Sequence, residues 1–148
     1  MDNKNSTSNT LSTILFRNSW SAVILAAALT MSGCASVSLS TIPSMPAAEG
    51  HVRYGVTKNG NTLIVLNVKH LAHPEKLTPP ANNYVVWTRA TKNAPAQNIG
   101  ALKVDNDLAG ELETEIPLKS FELFITAEAS GQVQQPSGES LLWTNYSR

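Results

Sequence analysis

The chain of 148 residues has a single cysteine, Cys34, so no intrachain disulfide can form and the fold must be held by its core. A blue-copper centre needs a free cysteine thiolate, and it falls away once Cys34 is committed elsewhere. Excess charge of either sign is also missing, since 11 Lys and Arg balance 11 Asp and Glu. No block of like charge follows Cys34. That argues against nucleic acid and anionic lipid headgroups as partners, because both favour a concentrated basic patch. Histidine numbers only 3. His70 and His73 alone have a spacing that could hold a metal, with Glu75 nearby, and His51 is remote in sequence. A zinc site normally takes three or four protein ligands, so this stretch reads as a solvated loop and no metal is assigned. No glycine-rich phosphate loop is present, and no serine stands in a recognisable setting of histidine and acid. Ser130-Gly131 and Pro136-Ser137-Gly138 carry turn chemistry instead. No catalytic residue and no cofactor are assigned, and the chain reads as a non-enzyme.

What the sequence does have begins at its N-terminus. Lys4 and Arg17 lie in a polar leader, followed by the apolar stretch Trp20-Ser21-Ala22-Val23-Ile24-Leu25-Ala26-Ala27-Ala28-Leu29. That run has signal-peptide length and is short of the about 20 apolar residues that a spanning helix needs. It leads into Leu29-Thr30-Met31-Ser32-Gly33-Cys34, which resembles a bacterial lipobox. The resemblance implies cleavage after Met31, Ser32 and Gly33, with Cys34 lipidated as the new N-terminus. Met31 stands where leucine is usual. Residues 1–33 are thus expected to be a lipoprotein signal peptide. A single acyl chain holds a protein only marginally, whereas the several palmitate-type chains of such an anchor are effectively permanent. The expected first partner is therefore membrane lipid, through acylated Cys34. Ala35 rather than aspartate follows the cysteine, which in a two-membrane host implies the outer membrane, facing the periplasm. Removing Asp2, Lys4 and Arg17 with the leader leaves one more acidic than basic side chain.

Residues 34–50 are mostly small or polar and are punctuated by Pro43 and Pro46, so they read as a lipidated cysteine and flexible tether. From His51 to Arg148 the pattern becomes short β-rich runs between turn residues. His51–Thr57 and Thr62–Lys69 flank Lys58-Asn59-Gly60-Asn61, where Asn-Gly predicts a type I′ hairpin. Further strands are expected at 83–90, 98–104, 111–116, 120–127 and 140–146. In the fifth of these seven runs, Glu111, Glu113 and Glu115 alternate with Leu112, Thr114 and Ile116, which predicts a solvated face rather than an acidic catalytic cluster. No segment here shows helical periodicity. The expected fold is all-β, an antiparallel immunoglobulin-like β-sandwich of about seven strands. Trp87 reads as a core residue. Trp143 and Tyr146, on the last strand, are candidates for a binding surface, with strand packing as the plainer role.

Asn83-Tyr84-Val85-Val86-Trp87-Thr88, then Asn98-Ile99-Gly100-Ala101-Leu102, form one set of motifs. Phe121-Glu122-Leu123-Phe124-Ile125-Thr126-Ala127-Glu128 and Gln135-Pro136-Ser137-Gly138 extend it. Over about residues 60–143 this order resembles the extracytoplasmic C-terminal domain of the anti-sigma-K factor family. Members of that family carry a cytoplasmic sigma-binding domain and a transmembrane helix before this domain. Here an apparent lipid anchor stands in their place, so sigma-factor inhibition is not carried over. The resemblance implies a sandwich module that binds or senses something in the envelope. The expected function is an envelope lipoprotein with a non-catalytic interaction domain for a protein partner. The alternatives are a small-ligand or glycan-binding module and an envelope signalling accessory.

Overall fold

The computed structural model describes residues 35–148, and apart from one 3-10 turn at Pro74–Lys76 their regular elements are all β-strands. Two short strands, β1 (Ser36–Ser38) and β2 (Ser40–Thr41), precede β3 (Glu49–Val56) and β4 (Thr62–Lys69). In β4 every second residue is buried, so that Ile64, Leu66 and Val68 face the core. The β3–β4 hairpin pairs Glu49 with Lys69 and Val56 with Thr62. Its turn is not the expected type I′, which needs positive φ at both central residues. Gly60 has φ 78° and Asn59 does not share it. The Gly60 N–H donates to the Thr57 carbonyl (2.9 Å) and the Thr57 N–H to the Asn61 carbonyl (3.0 Å), a three-residue loop closed by a glycine bulge.

The chain continues through β5 (Asn83–Arg89), β6 (Gln97–Ala101), β7 (Lys103–Val104), β8 (Gly110–Ile116), β9 (Ser120–Glu128) and β10 (Leu142–Ser147). Two antiparallel sheets result, ordered β1-β3-β4-β8-β7 and β2-β10-β9-β5-β6. Without β1 and β2, the first sheet has the immunoglobulin order A-B-E-D. The second has G-F-C with β6 added beside C. The expected sandwich is the observed fold. Between the sheets lie Val52, Ile64, Leu66 and Val68 from one side and Tyr84, Val86, Leu123, Ile125 and Leu142 from the other, all at most 1% exposed. The Tyr84 hydroxyl donates to the Ala72 carbonyl (2.9 Å), and burial, then the Glu75 charge, push its pKa up to about 12.

Two parts of the chain depart from the sequence expectation. The stretch expected as a tether contributes β1, paired with β3, and β2, paired with β10. The run expected as one strand over 98–104 splits into β6 in one sheet and β7 in the other. Both departures have one cause. At each side of the sandwich a single strand crosses between sheets at a buried leucine, Leu39 or Leu102, whose N–H still donates to the sheet it leaves (Gly50 and Tyr84 carbonyls, 2.8 Å each). Crossing strands of this kind cover both edges of a sandwich, where unpaired backbone would otherwise face solvent. Their short halves carry too little alternation for a sequence pattern to reveal.

The register sorts the connections into two ends. The lower end holds the 57–61 turn, the 90–96 and 117–119 loops, and Arg148. The upper end holds loops 42–48, 70–82, 105–109 and 129–141.

Candidate functional site

The most tightly organised side chains lie on the outer face of the second sheet, away from the main core. Strand alternation puts Val85, Trp87 and Arg89 of β5 there beside Thr126, Phe124 and Glu122 of β9, as cross-strand partners. Val85, Trp87 and Phe124 form a second buried cluster, covered by Ala96, Val133 and Trp143. The Trp87 and Phe124 rings stack with centroids 6.4 Å apart, and Arg89 sits 4.8 Å above the Phe124 ring while its Nε donates to Glu122 (2.7 Å). Val133 belongs to the 129–141 loop, which folds back across this face as a strap.

One carboxylate holds the strap down. Glu128 is 1% exposed and has no cationic partner among the described residues. Its Oε1 accepts from the Thr126 hydroxyl (2.6 Å), the Ser137 N–H (2.9 Å) and the Gly138 N–H (3.3 Å), while its Oε2 accepts from the Ser137 hydroxyl (2.5 Å). The Trp87 Nε1–H donates to Thr126 Oγ1 (2.8 Å), so β5, β9 and the strap share one network. Burial alone would raise the carboxyl pKa. The hydrogen bonds from Ser137, Thr126 and Gly138 outweigh it and hold the group below its ordinary value. Gly138 is required by close approach, because a Cβ there would lie 2.8 Å from the Ala127 carbonyl oxygen. A second tie comes from Asn98, whose Nδ2 donates to the Gly131 and Val133 carbonyls (3.0 and 2.9 Å) while its Oδ1 accepts from the Gly100 N–H (2.9 Å). The β5–β6 register shifts between Val86 and Trp87 at this point, and the bulge aims Asn98 at the strap. Buried and with its lone pairs spent on four donors, Glu128 is a structural anion. It is not placed to move a proton.

The candidate residues are dispersed. Trp143 lies on the outer face with the Trp87 cluster, whereas Tyr146 points inward against Tyr54 (ring centroids 4.0 Å) and Phe121 (5.3 Å). Being on opposite faces of β10, they do not form one surface. His73 approaches Glu75 (3.6 Å) on an exposed loop, and among the described residues no three metal-ligating side chains group together. Glu111, Glu113 and Glu115 are all exposed on β8. Met31, Ser32, Gly33 and Cys34 lie outside the described residues, as do the rest of residues 1–33. Among the described residues no helix is long and apolar enough to cross a membrane. A cleft of about 460 Å³ opens at the upper end, lined by Met45, Lys76, Leu77, Pro79, Gly138 and Glu139. Sequence reasoning missed Glu128 and Asn98 as organising residues. The signal available was a glutamate in an otherwise apolar strand, ahead of a Pro-Ser-Gly turn able to supply donors.

The fold defines an all-β antiparallel sandwich. No family model matches the chain, and neither a curated protein nor a solved structure matches it.

Proposed function

We propose that this protein is a lipid-anchored envelope protein whose sandwich is a non-catalytic interaction module. The junction carries the proposal. The lipobox-like sequence ends at Cys34, and the first strand begins at Ser36, so cleavage before Cys34 would leave an acylated residue directly joined to a folded domain. In a two-membrane cell, Ala35 after the cysteine favours the outer membrane, facing the periplasm. Glu128 supports the non-catalytic role, since the most buried carboxylate is fully used in holding the strap. An envelope protein partner would meet the loops of the upper end.

The upper-end cleft favours a second role, capture of a small ligand or glycan between Leu77, Pro79 and the end of the strap. In that case the ligand would contact this cleft and not Trp143 and Tyr146 together. A signalling accessory role draws on the resemblance to anti-sigma-K outer domains, several of whose motif residues (Trp87, Thr126, Glu128 and Ser137) share the strap network.

The test is the intact mass of the protein extracted from membranes, beside a Cys34→Ala variant. Cleavage before Cys34 with added acyl chains, absent in the variant, is the expected result. An uncleaved, unacylated chain overturns the anchor. Crosslinking in the intact envelope then tests the partner, and recovery of the lipoprotein alone would count against an interaction role.

A further inference from the structure

Charges that are scattered along the sequence are sorted by the fold. The lower-end loops and terminus carry Lys58, Lys92, Lys119 and Arg148, all exposed, and no carboxylate side chain. The upper-end loops carry Glu75, Asp105, Asp107 and Glu139 against the single lysine Lys76. The lower-end cations are neighbours. The Arg148 guanidinium donates to the Gly60 carbonyl (2.6 Å) and the Arg148 N–H to the Lys119 carbonyl (3.2 Å), tying the terminus to both lysine-bearing loops. Lys92 borders a shallow hollow shared with Ser120 and Ser147. Among strand-end carboxylates here, Glu122 is paired with Arg89, leaving Glu115 one residue in from the end.

The same end carries exposed apolar surface. Val56, which closes β3 there, is the large hydrophobic residue most open to solvent among the described residues, at 62%. Val37, the other exposed one (39%), stands higher on β1, opposite Val52 in the middle of β3. The first strand runs upward from about half-way along β3, with Ser36 opposite Arg53 and Ser38 opposite His51, so the chain before it leads down toward this end. Only Ala35 separates Cys34 from Ser36, at most ~7 Å of chain. An acylated Cys34 therefore cannot hold the domain away from the lipid.

We infer that the lower end of the sandwich is a membrane seat: Lys58, Lys92, Lys119 and Arg148 lie on anionic lipid headgroups, with Val56 at the lipid boundary. This rests on the proposed acylation of Cys34. It fixes the orientation of the domain, turning the acidic upper end and its cleft toward the aqueous compartment. Composition argued against anionic headgroups because no cationic run exists in the sequence. Four separate segments supply the patch instead. Lipid is favoured over an acidic protein because the anchor leaves no room for a second macromolecule between this end and the bilayer.

The experiment uses the full acylated chain, extracted from membranes and reconstituted into phosphatidylcholine vesicles with or without phosphatidylglycerol. A fluorophore is placed at Asn59→Cys or at Asp107→Cys, and quenching by nitroxide-headgroup lipid is read. The label at position 59 is expected to be quenched and that at position 107 spared. Quenching at 59 should grow with phosphatidylglycerol and fall in high salt. Each of Lys58, Lys92 and Lys119 changed to Gln should reduce the seated-to-unseated ratio roughly fivefold in the anionic vesicles. Equal quenching at the two positions, or quenching indifferent to phosphatidylglycerol, in a preparation whose mass shows acylated Cys34, overturns the seat and leaves the anchor standing. Stronger quenching at 107 overturns it too and frees the basic end for an acidic partner. A mass without acyl chains, with Cys34 itself taking up label, removes the anchor and the seat together.

Discussion

On β8 the residues turned away from the core are Glu111, Glu113 and Glu115, all exposed; on β9 they are Glu122, Phe124, Thr126 and Glu128, all buried. Both strands lie inside the same sandwich and both alternate. They differ in what covers their second face: water over β8, the 129–141 strap and the 90–96 loop over β9. A strand with one wet face can carry charge there at little cost. A strand covered on both faces must be apolar or must satisfy each polar group internally. Glu122 does so through Arg89, and Glu128 through four donors from Thr126, Ser137 and Gly138. Glutamate thus has opposite structural meanings on two strands of one domain.

The comparison breaks most completely at Trp87, which is 0% exposed and touches both the covered-face cluster and the strap network. Trp87→Ala is expected to destabilise by about 3–5 kcal/mol in denaturant unfolding, the usual cost of deleting a buried aromatic ring. A loss similar to that of a surface residue would mean that the strap does not seal this face.

Glu128 comes next. Glu128→Ala leaves the Ser137 and Gly138 N–H groups without their acceptor and should cost about 3 kcal/mol, with amide exchange at both residues rising before global unfolding. Glu128→Gln keeps one acceptor and can donate to a rotated Ser137 hydroxyl, so its cost should be about half as large. The wild-type pH profile carries the same information. A carboxyl held below its ordinary value of 4.5 contributes stability above that pH and loses it as pH falls through the lowered folded value. Acid titration of wild type against Glu128→Gln should therefore show curves that converge below pH 4.5. Parallel curves would mean that the carboxylate is not what holds the strap.

Much of this architecture is legible from alternation alone. β3, β4, β8, β9 and β10 fall close to their expected ranges because each contrasts an apolar face with a polar one, or is long enough to run apolar throughout. The expectation is weakest where structure depends on partners distant in sequence. Ser36–Ser38 and Ser40–Thr41 read as a tether because serine and threonine lack a strong pattern, and only the edges of the two sheets make them strands. The break at Leu102 is equally silent, since both halves look extended. For the covered face, Glu128 in an apolar strand was visible, but its donors lie up to ten residues away on a loop whose path the sequence does not give. The sorting of lysines to one end is a property of topology and has no counterpart in sequence order.

Gly138 sharpens the comparison at the edge of the strap. A methyl group at this position would meet the Ala127 carbonyl oxygen at 2.8 Å, so Gly138→Ala must push the strap off β9 and lengthen the bonds to Glu128. The expected cost is about 1–3 kcal/mol, with increased Trp143 solvent quenching because Trp143 packs against the face beneath. Gly60→Ala, where nothing lies within 4 Å but φ is 78°, gives a contrasting case of backbone strain without steric contact, expected near 1 kcal/mol.

The smallest effect is the control on the whole comparison. Glu113 and Glu122 are both outward-facing glutamates within long strands, and a sequence pattern treats them alike. Glu113 is exposed and makes no salt bridge among the described residues, so Glu113→Gln should change stability by less than about 0.5 kcal/mol. Glu122 is 9% exposed and carries the 2.7 Å bond from Arg89, which in turn lies over Phe124. Glu122→Gln should therefore cost more than Glu113→Gln by about 1 kcal/mol, since the charge-assisted bond is lost where water cannot replace it. Equal costs would show that the second sheet's outer face is wet near its lower end, and that the strap protects only the half of β9 around Glu128.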